Sequence, residues 1–334
     1  MMSNPETEHD EDEAFDPEDQ GDRWDGTLAD EGNQDFLLLG NRFRAPRLPT
    51  ALYVVATPIG NLKDITIRAL ETLAAVDVIA CEDTRVSRKL LTHFGIRTRL
   101  VTYHEHNADK QRPYLLHLLA EGRAVALISD AGTPLLSDPG YKLVEDMLAE
   151  GHDIVPIPGA SAMLSALVGS GLPTDQIHFA GFLPQKAGAR DRKLKDLVDI
   201  PGTLVFYESP RRLKDVLPAM ATILGSDRSA VMARELTKKF ESFHRGPLAD
   251  LAAHYQDAEA PKGEAVILLG PAEKREPEAE DVEAMIRAGL QDGKHIKQLS
   301  AEIAEKIGAK KNDIYKLAQT LKDQSLKDQQ GANG

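Results

Sequence analysis

An α/β fold in two halves, followed by a small helical module, is what this sequence predicts. Three observations predict it. From Leu52 onward, short apolar β-rich runs alternate with amphipathic segments of helical period. After Pro158 the connections between these runs lengthen, and beyond a charged stretch at 271–280 only helical periodicity remains.

In the first half the candidate strands are Leu52 to Ala56, Val78 to Cys81, Ala124 to Ile128 and Ile154 to Pro156. Helical patterns lie between them: Ile67, Leu70, Leu73 and Ala74, then Ser87 to Phe94, then Pro113 to Ala120, with another starting near Tyr141. This alternation predicts a mostly parallel sheet covered by helices over residues 48–157. The second half, 158–270, opens with a turn and helix in PGASAMLSALVGSG, followed by HFAGFLP and the basic segment KAGARDRKLKDL. A strand at Thr203 to Glu208, a helix from Arg211 to Leu224 and strands at Ala230 to Glu235 and Gly263 to Gly270 complete it. The longer connections predict more antiparallel pairing than in the first half.

Residues 271–280, PAEKREPEAE, read as a charged linker. Beyond it, a module over 281–325 shows three apolar helical faces. They are formed by Val282, Met285, Ile286 and Leu290, then Ile296, Leu299, Ile303 and Ile307, then Ile314, Leu317 and Leu321. With Gly308 in the break and seven Lys against four acidic residues between Leu290 and Lys322, the module resembles a helix-turn-helix. A small capping bundle accounts for the same pattern.

The 334 residues are 42% hydrophobic and 28% charged, a globular composition. A single cysteine, Cys81, excludes an intramolecular disulfide. No apolar run approaches the roughly 20 residues of a membrane span and no secretory pattern opens the chain, so a soluble cytosolic protein with no membrane partner is expected. Residues 1–35 hold 14 acidic residues against one arginine, which accounts for the whole net charge of −13, and the 39 acidic and 39 basic residues beyond them balance. The acidic stretch extends the expectation of a disordered tail over residues 1–47. The folded part is thereby left neutral, so a polyanionic partner is not excluded.

The most informative stretch is SDAGTPLLSDPG, residues 129–140, directly after the apolar run ending at Ile128. Two Pro and two Gly in twelve residues rule out a regular element, and a loop after a buried strand lies where open α/β sheets bind ligands. A tight turn that only reverses the chain is the plainer alternative, and helix capping is the plainer one for Asp130 and Asp138. The first strand runs into TPIGNLKD, which is neither a dinucleotide fingerprint nor a P-loop. Pro58 removes a donor that a phosphate cradle would use, and no C-x-x-C or H-E-x-x-H pattern points to a metal. A ligand held through neither a phosphate cradle nor a metal is favoured.

Other loops at strand ends sharpen this reading. ATPIGNLKDIT, EDTR, SDAGTPLLSDPG, PGAS, FYESPRR and RELTKKFE, in this order over roughly residues 50–270, together resemble the tetrapyrrole methylase superfamily and, within it, the ribosomal RNA small subunit methyltransferase I family. The resemblance implies a two-domain tetrapyrrole-methylase-like α/β fold (a class III methyltransferase), acting as a homodimer. It implies S-adenosylmethionine as methyl donor and the 2′-hydroxyl of a cytidine in 16S ribosomal RNA of the 30S subunit as acceptor. Donor contacts carry over onto Asp130, Gly132 and Thr133 for the methionine portion, Ser161 and Ala162 at the start of the second domain, and Tyr207, Ala233, Arg234 and Glu264 toward the adenine. Pro58 and Ile59 fit the first turn.

The residue chemistry is compatible with that donor, because Asp130 and backbone groups of a Gly-rich loop can serve its polar ends. For PGASA, a helix start capped by Ser161 explains the composition equally. A 2′-hydroxyl is a weak nucleophile that a base would assist, and Glu208, ending a buried strand beside two arginines, is the first candidate; an ion pair with Arg211 or Arg212 is the alternative role. RNA contact would use clustered cations: Arg85, Arg88 and Lys89; Lys186, Arg190, Arg192 and Lys193; Arg211, Arg212 and Lys214; with Lys238 and Lys239 as weaker candidates. A solvated face is the default for such clusters. His104 and His106 in YHEHN end a strand pattern, and a surface loop is the plainer account of them. Two other functions share many of these features: methylation of a small tetrapyrrole-like molecule, and RNA binding without catalysis.

Overall fold

The computed structural model describes residues 34–136, 140–257, 263–272 and 279–331. The described chain up to Pro271 forms one compact unit, and the chain from Ala272 forms a second.

The first unit begins earlier than the sequence predicts. Most of the expected acidic tail, residues 1–33, lies outside the described residues, but β1 (Asp35–Leu38) and β2 (Asn41–Arg44) form an antiparallel hairpin. Leu39 and Gly40, at φ 51° and 80°, make its two-residue turn. The expectation of disorder to residue 47 is corrected here, and the cause is local. The acidic count over 1–35 obscures the apolar run Phe36–Leu39, and Phe36 is buried in the same core as Leu91 and Phe94. Leu37 N–H donates to Phe94 O at 2.7 Å, which fastens the hairpin to the body.

Five strands make the first sheet: β3 (Leu52–Val55), β4 (Val78–Cys81), β5 (Arg99–Thr102), β6 (Val125–Ile128) and β7 (Ile154–Ile157). They are all parallel, in the order β5-β4-β6-β3-β7. The helices between them are α1 (Ile67–Ala75), α2 (Thr84–His93), α3 (Ala108–Ala120) and α4 (Tyr141–Ala149). β5, on which the strand pattern ending at YHEHN falls, is not among the four candidate strands because Arg99 and Thr102 interrupt its apolar character. Every residue of β3, β4 and β6 is buried, as a parallel sheet covered on both faces requires. One core packs on Tyr53, Val55, Ile79, Cys81 and Ile128, and another on Leu52, Val54, Val78, Ala80 and Leu127. These residues alternate along each strand, so the two cores lie on opposite faces.

The second sheet follows α5 (Ala162–Ser170). Its strands are β8 (Ile177–Phe182), β9 (Thr203–Glu208), β10 (Ser229–Arg234), β11 (Ser242–Pro247) and β12 (Ala265–Leu269), in the order β11-β10-β12-β9-β8. Only β8 and β9 pair in parallel, and the other three pairings are antiparallel. α6 (Ala187–Lys195), α7 (Leu213–Leu224) and α8 (Leu248–Asp257) complete this half. A core of Leu204, Phe206, Met220, Leu251 and Ile267 fills one face. On the other, Ile59 from the first half packs with Val205, Val266 and Leu268, which joins the two halves through shared apolar contact.

The second unit holds α9 (Ala279–Gln291), α10 (Ile296–Ile307) and α11 (Lys311–Gly331). Val282, Ile286, Leu299, Ile303, Ile314 and Leu321 form its core, and Gly308, left-handed at φ 69°, ends α10. Among the described residues no helix is long and apolar enough to cross a membrane.

Candidate active site at the facing strand ends

Because β3–β7 are parallel, the loops that follow them all emerge on one edge of the sheet. Their mutual hydrogen bonds make that edge specific. Thr57, just past β3, and Gly132, four residues past β6, exchange backbone hydrogen bonds at 2.8 and 3.0 Å, while Thr57 Oγ1 donates to Ser129 O at 3.2 Å. Gly132 has φ 83°, and a side chain there would also come within 3.2 Å of Ile59, so both conformation and space select glycine. Thr133 Oγ1 donates to Ala160 O at 3.2 Å and ties the same loop to the PGASA turn. Asp130 Oδ1 accepts the Asp83 N–H at 3.1 Å and ties it to the loop after β4. Asp138 lies outside the described residues. Asp130 does not cap α4, whose N-cap is Gly140.

These loops and the ends of the second sheet enclose a cavity of about 380 Å³. Of the residues expected to hold a cofactor, Ile59, Asp130, Gly132, Thr133, Ala162, Tyr207 and Glu264 border it, as does Glu208. Pro58, Ser161, Ala233 and Arg234 do not. Pro58 sits beside Ile59, and Ala233 is fully buried in the shared apolar core. Ser161 is the N-cap of α5, its side chain accepting the Leu164 N–H at 3.5 Å, which is the role its composition alone allowed. Sequence reasoning passed over Glu82, Phe182, Ser209, Ala265 and Val266, which also border the cavity. Glu82 and Ser209 lie inside the motifs EDTR and FYESPRR, where the arginines drew attention first.

The cavity is acidic at several points. Glu82, Asp130, Glu208 and Glu264 all border it. Burial pushes the Asp130 carboxyl up from its ordinary value, offset in part by the Asp83 N–H. Burial likewise pushes Glu208 up, against the pull of the Ser209 N–H and of Arg212. Glu208 Oε1 accepts the Ser209 N–H at 2.8 Å and faces Arg212 Nη1 at 3.3 Å, while Oε2 is buried with no hydrogen-bond partner among the described residues. Tyr207 Oη accepts the Met163 N–H at 3.2 Å, and its ring meets Phe179 and Phe182 edge-on. Phe182 is half exposed.

The expected RNA-facing cations divide into two groups. Arg212 donates to Leu183 O and Pro184 O at 3.0 and 2.9 Å as well as pairing with Glu208, so it braces the fold. Arg190 is paired with Asp191 and largely buried. Lys238 lies between Glu235 and Glu264 at 3.0 and 3.4 Å. Arg85 is exposed but grips Asp83 at 2.7 Å, and the contact pulls the Asp83 carboxyl down to about 2. Arg88, Lys186 and Arg211 are exposed, with no hydrogen bond or ion pair to the described residues.

Two α/β sheets with a ligand-sized cavity at their facing strand ends define a class of enzyme fold, and comparison with known proteins specifies it. A profile of the family described as Tetrapyrrole (Corrin/Porphyrin) Methylases matches residues 51–252. A protein of Mesorhizobium japonicum named "Ribosomal RNA small subunit methyltransferase I" is 52% identical over 278 residues, covering 83% of this chain and 94% of its own. Its namesake in Escherichia coli O157:H7 is 46% identical over 271 residues, covering 80% and 94%. Among solved structures, diphthine synthase superposes with a TM-score of 0.53 at 16% identity, covering 66% of this chain and 89% of its own. Cobalt precorrin-4 methyltransferase superposes at 0.52 with 20% identity, covering 66% and 95%. The chain belongs to the ribosomal RNA small subunit methyltransferase I family of the tetrapyrrole methylases.

Proposed function

We propose that this protein methylates the 2′-hydroxyl of a cytidine in 16S ribosomal RNA, with S-adenosylmethionine as the donor. The observation that carries the reading is the cavity itself, built where the loops of the first sheet meet the ends of β9 and β12. Its volume falls within the range of small-molecule sites. The donor is a zwitterion with an added sulfonium charge, and a wall holding the Asp130 and Glu264 carboxylates beside apolar Ile59, Leu136 and Val266 fits a cationic, partly apolar molecule. When bound, it supplies a methyl group activated by the sulfonium.

The chain's own residues do the rest. Asp130, Gly132 and Thr133 hold the methionine portion, with Ile59 and Ala162 shaping the adjoining wall. Tyr207 and Glu264 form the adenine side. Holding donor and acceptor in line is itself a large part of the acceleration, since it removes the entropy of encounter. The exposed cations Arg85, Arg88, Lys186 and Arg211 face the RNA phosphates, and Arg190, Arg212 and Lys238 hold the surrounding loops in place. Phe182 offers an aromatic face at the cavity for a nucleobase. The protein acts in the cytoplasm as a homodimer, a reading supported by the exposed apolar Leu164 and Val168 on α5.

The test is transfer of labelled methyl from S-adenosylmethionine to purified 30S subunits, followed by digestion to nucleosides. Label in 2′-O-methylcytidine is the expected result. Donor binding without label in RNA would move the function to a small-molecule acceptor.

A further inference from the structure

Three of the four carboxylates at the cavity are already engaged. Asp130 accepts the Asp83 N–H, Glu208 accepts the Ser209 N–H and pairs with Arg212, and Glu264 pairs with Lys238. Glu82 differs from them. It is half-buried and borders the cavity, with no hydrogen bond or ion pair to the described residues. A carboxylate placed in a cleft without a partner has both oxygens available to whatever enters, which is what a proton acceptor needs.

We propose that Glu82, at the end of β4, is the base that takes the proton from the acceptor hydroxyl. This assignment rests on the reading of the protein as a hydroxyl methylase. As the hydroxyl oxygen bonds to the methyl carbon, the carbon–sulfur bond breaks and its electron pair stays on sulfur. The O–H proton passes to the Glu82 carboxylate. A sulfonium, a hydroxyl and a carboxylate become a thioether, a methyl ether and a carboxylic acid, with charge conserved.

The surroundings suit the task. Burial, with Asp130 and Asp83 close by, raises Glu82 above the ordinary carboxyl value, and His104 partly offsets the rise. A base whose pKa moves toward the working pH transfers protons more effectively. His104 follows β5, which runs beside β4 with Tyr103 N–H donating to Cys81 O at 2.7 Å, and its buried Nδ1 has no hydrogen-bond partner among the described residues. On α2, Arg85 compensates Asp83. Glu208, the acceptor expected from sequence, has one oxygen fixed by Ser209 and Arg212, and that arrangement braces Leu183 and Pro184.

Glu82→Gln, which keeps the shape, and Glu82→Asp, which keeps the acid, are compared with the wild-type chain on purified 30S subunits, with donor affinity from calorimetry and subunit affinity from filter binding. For Glu82→Gln, kcat should fall by about 10²- to 10⁴-fold, with both dissociation constants within about threefold of wild type. The acidic limb of the kcat–pH profile should disappear in Glu82→Gln and persist in Glu82→Asp. A Glu82→Gln protein that keeps the wild-type rate or the acidic limb, or that loses its rate only through weaker donor or subunit binding, overturns the assignment. A wild-type chain that binds the donor yet labels no RNA overturns the methylase reading itself, and the assignment with it.

Discussion

The two sheets of the first unit contribute to one cavity in different ways. In the parallel sheet, every ligand-facing group comes from a loop after a strand: Ile59 after β3, Glu82 after β4, and Asp130 to Thr133 after β6. In the mixed sheet, strand residues themselves form the wall. Tyr207 and Glu208 end β9, and Ala265 and Val266 begin its antiparallel neighbour β12, in register as Ala265 opposite Glu208 and Val266 opposite Tyr207. Apart from Ile59, which packs in the core shared with the second sheet, loops fastened by side-chain and backbone hydrogen bonds can be reshaped around polar groups without disturbing a core. Strand ends cannot, because the residues beside them are already fully buried. One side of the cavity is therefore adjustable and the other is rigid.

That contrast breaks down if the halves are independent. Phe206→Ala tests it with the largest expected effect. Phe206 is fully buried in the core of the second sheet, and its removal should cost about 3–5 kcal/mol. Since Ile59 packs with Val205, Val266 and Leu268, the loss should lower a single transition shared by both sheets. Urea unfolding followed by far-ultraviolet circular dichroism checks this. Two separated transitions would show that the shared apolar contact does not couple the halves.

A smaller effect compares a loop carboxylate on the parallel-sheet side with one just before β12 on the other side. Asp130 links two loops of the parallel sheet, whereas the Glu264 side chain is 72% exposed and paired with Lys238. Removing a charged hydrogen-bonding group at a ligand costs about 1.5–3 kcal/mol, so Asp130→Ala should weaken donor binding by about 10- to 100-fold. Glu264→Ala should weaken it by no more than about fivefold, as expected of an exposed ion pair. Calorimetric titration with S-adenosylmethionine decides between them, and equal losses would remove the distinction.

The same difference governs what could be read from the sequence. Ligand residues after a parallel strand announce themselves, because an apolar run followed by Gly, Pro and Asp is a pattern, and SDAGTPLLSDPG was found that way. The cavity residues of β12 are the first apolar residues of a strand and look like any others. Glu264 is named only through family resemblance, and Ala265 and Val266 are not named as ligand residues. Glu82 lies inside EDTR, and only the folded chain shows that Asp83 caps α2 while Glu82 has no hydrogen bond or ion pair to the described residues. β5 and β11 are absent from the candidate strands for a related reason. They are edge strands whose half-exposed faces carry Arg, Thr, His and Ser, so their composition is that of loops. The hairpin at 35–44 was hidden by counting charge across a boundary that the chain places at Phe36.

The smallest expected effect asks what holds the rigid side in place. Glu208 ends β9 almost fully buried, and two influences compete over its carboxyl: burial, which favours the protonated form, and Arg212 with the Ser209 N–H, which favours the ionised form. The balance lies with burial, so the folded state holds this proton more tightly than the unfolded chain does. An acid of that kind supports folding at low pH and loses its contribution as pH rises from the ordinary glutamate value, about 4.3, through its higher folded value. Glu208→Gln cannot titrate. The stability of the wild type relative to Glu208→Gln, measured by urea unfolding from pH 4 to pH 8, should therefore decline with rising pH and then level off. A difference that grows with pH instead would mean that Arg212 outweighs burial, and the end of β9 would then be held by an ion pair that must stay charged to keep the wall in place.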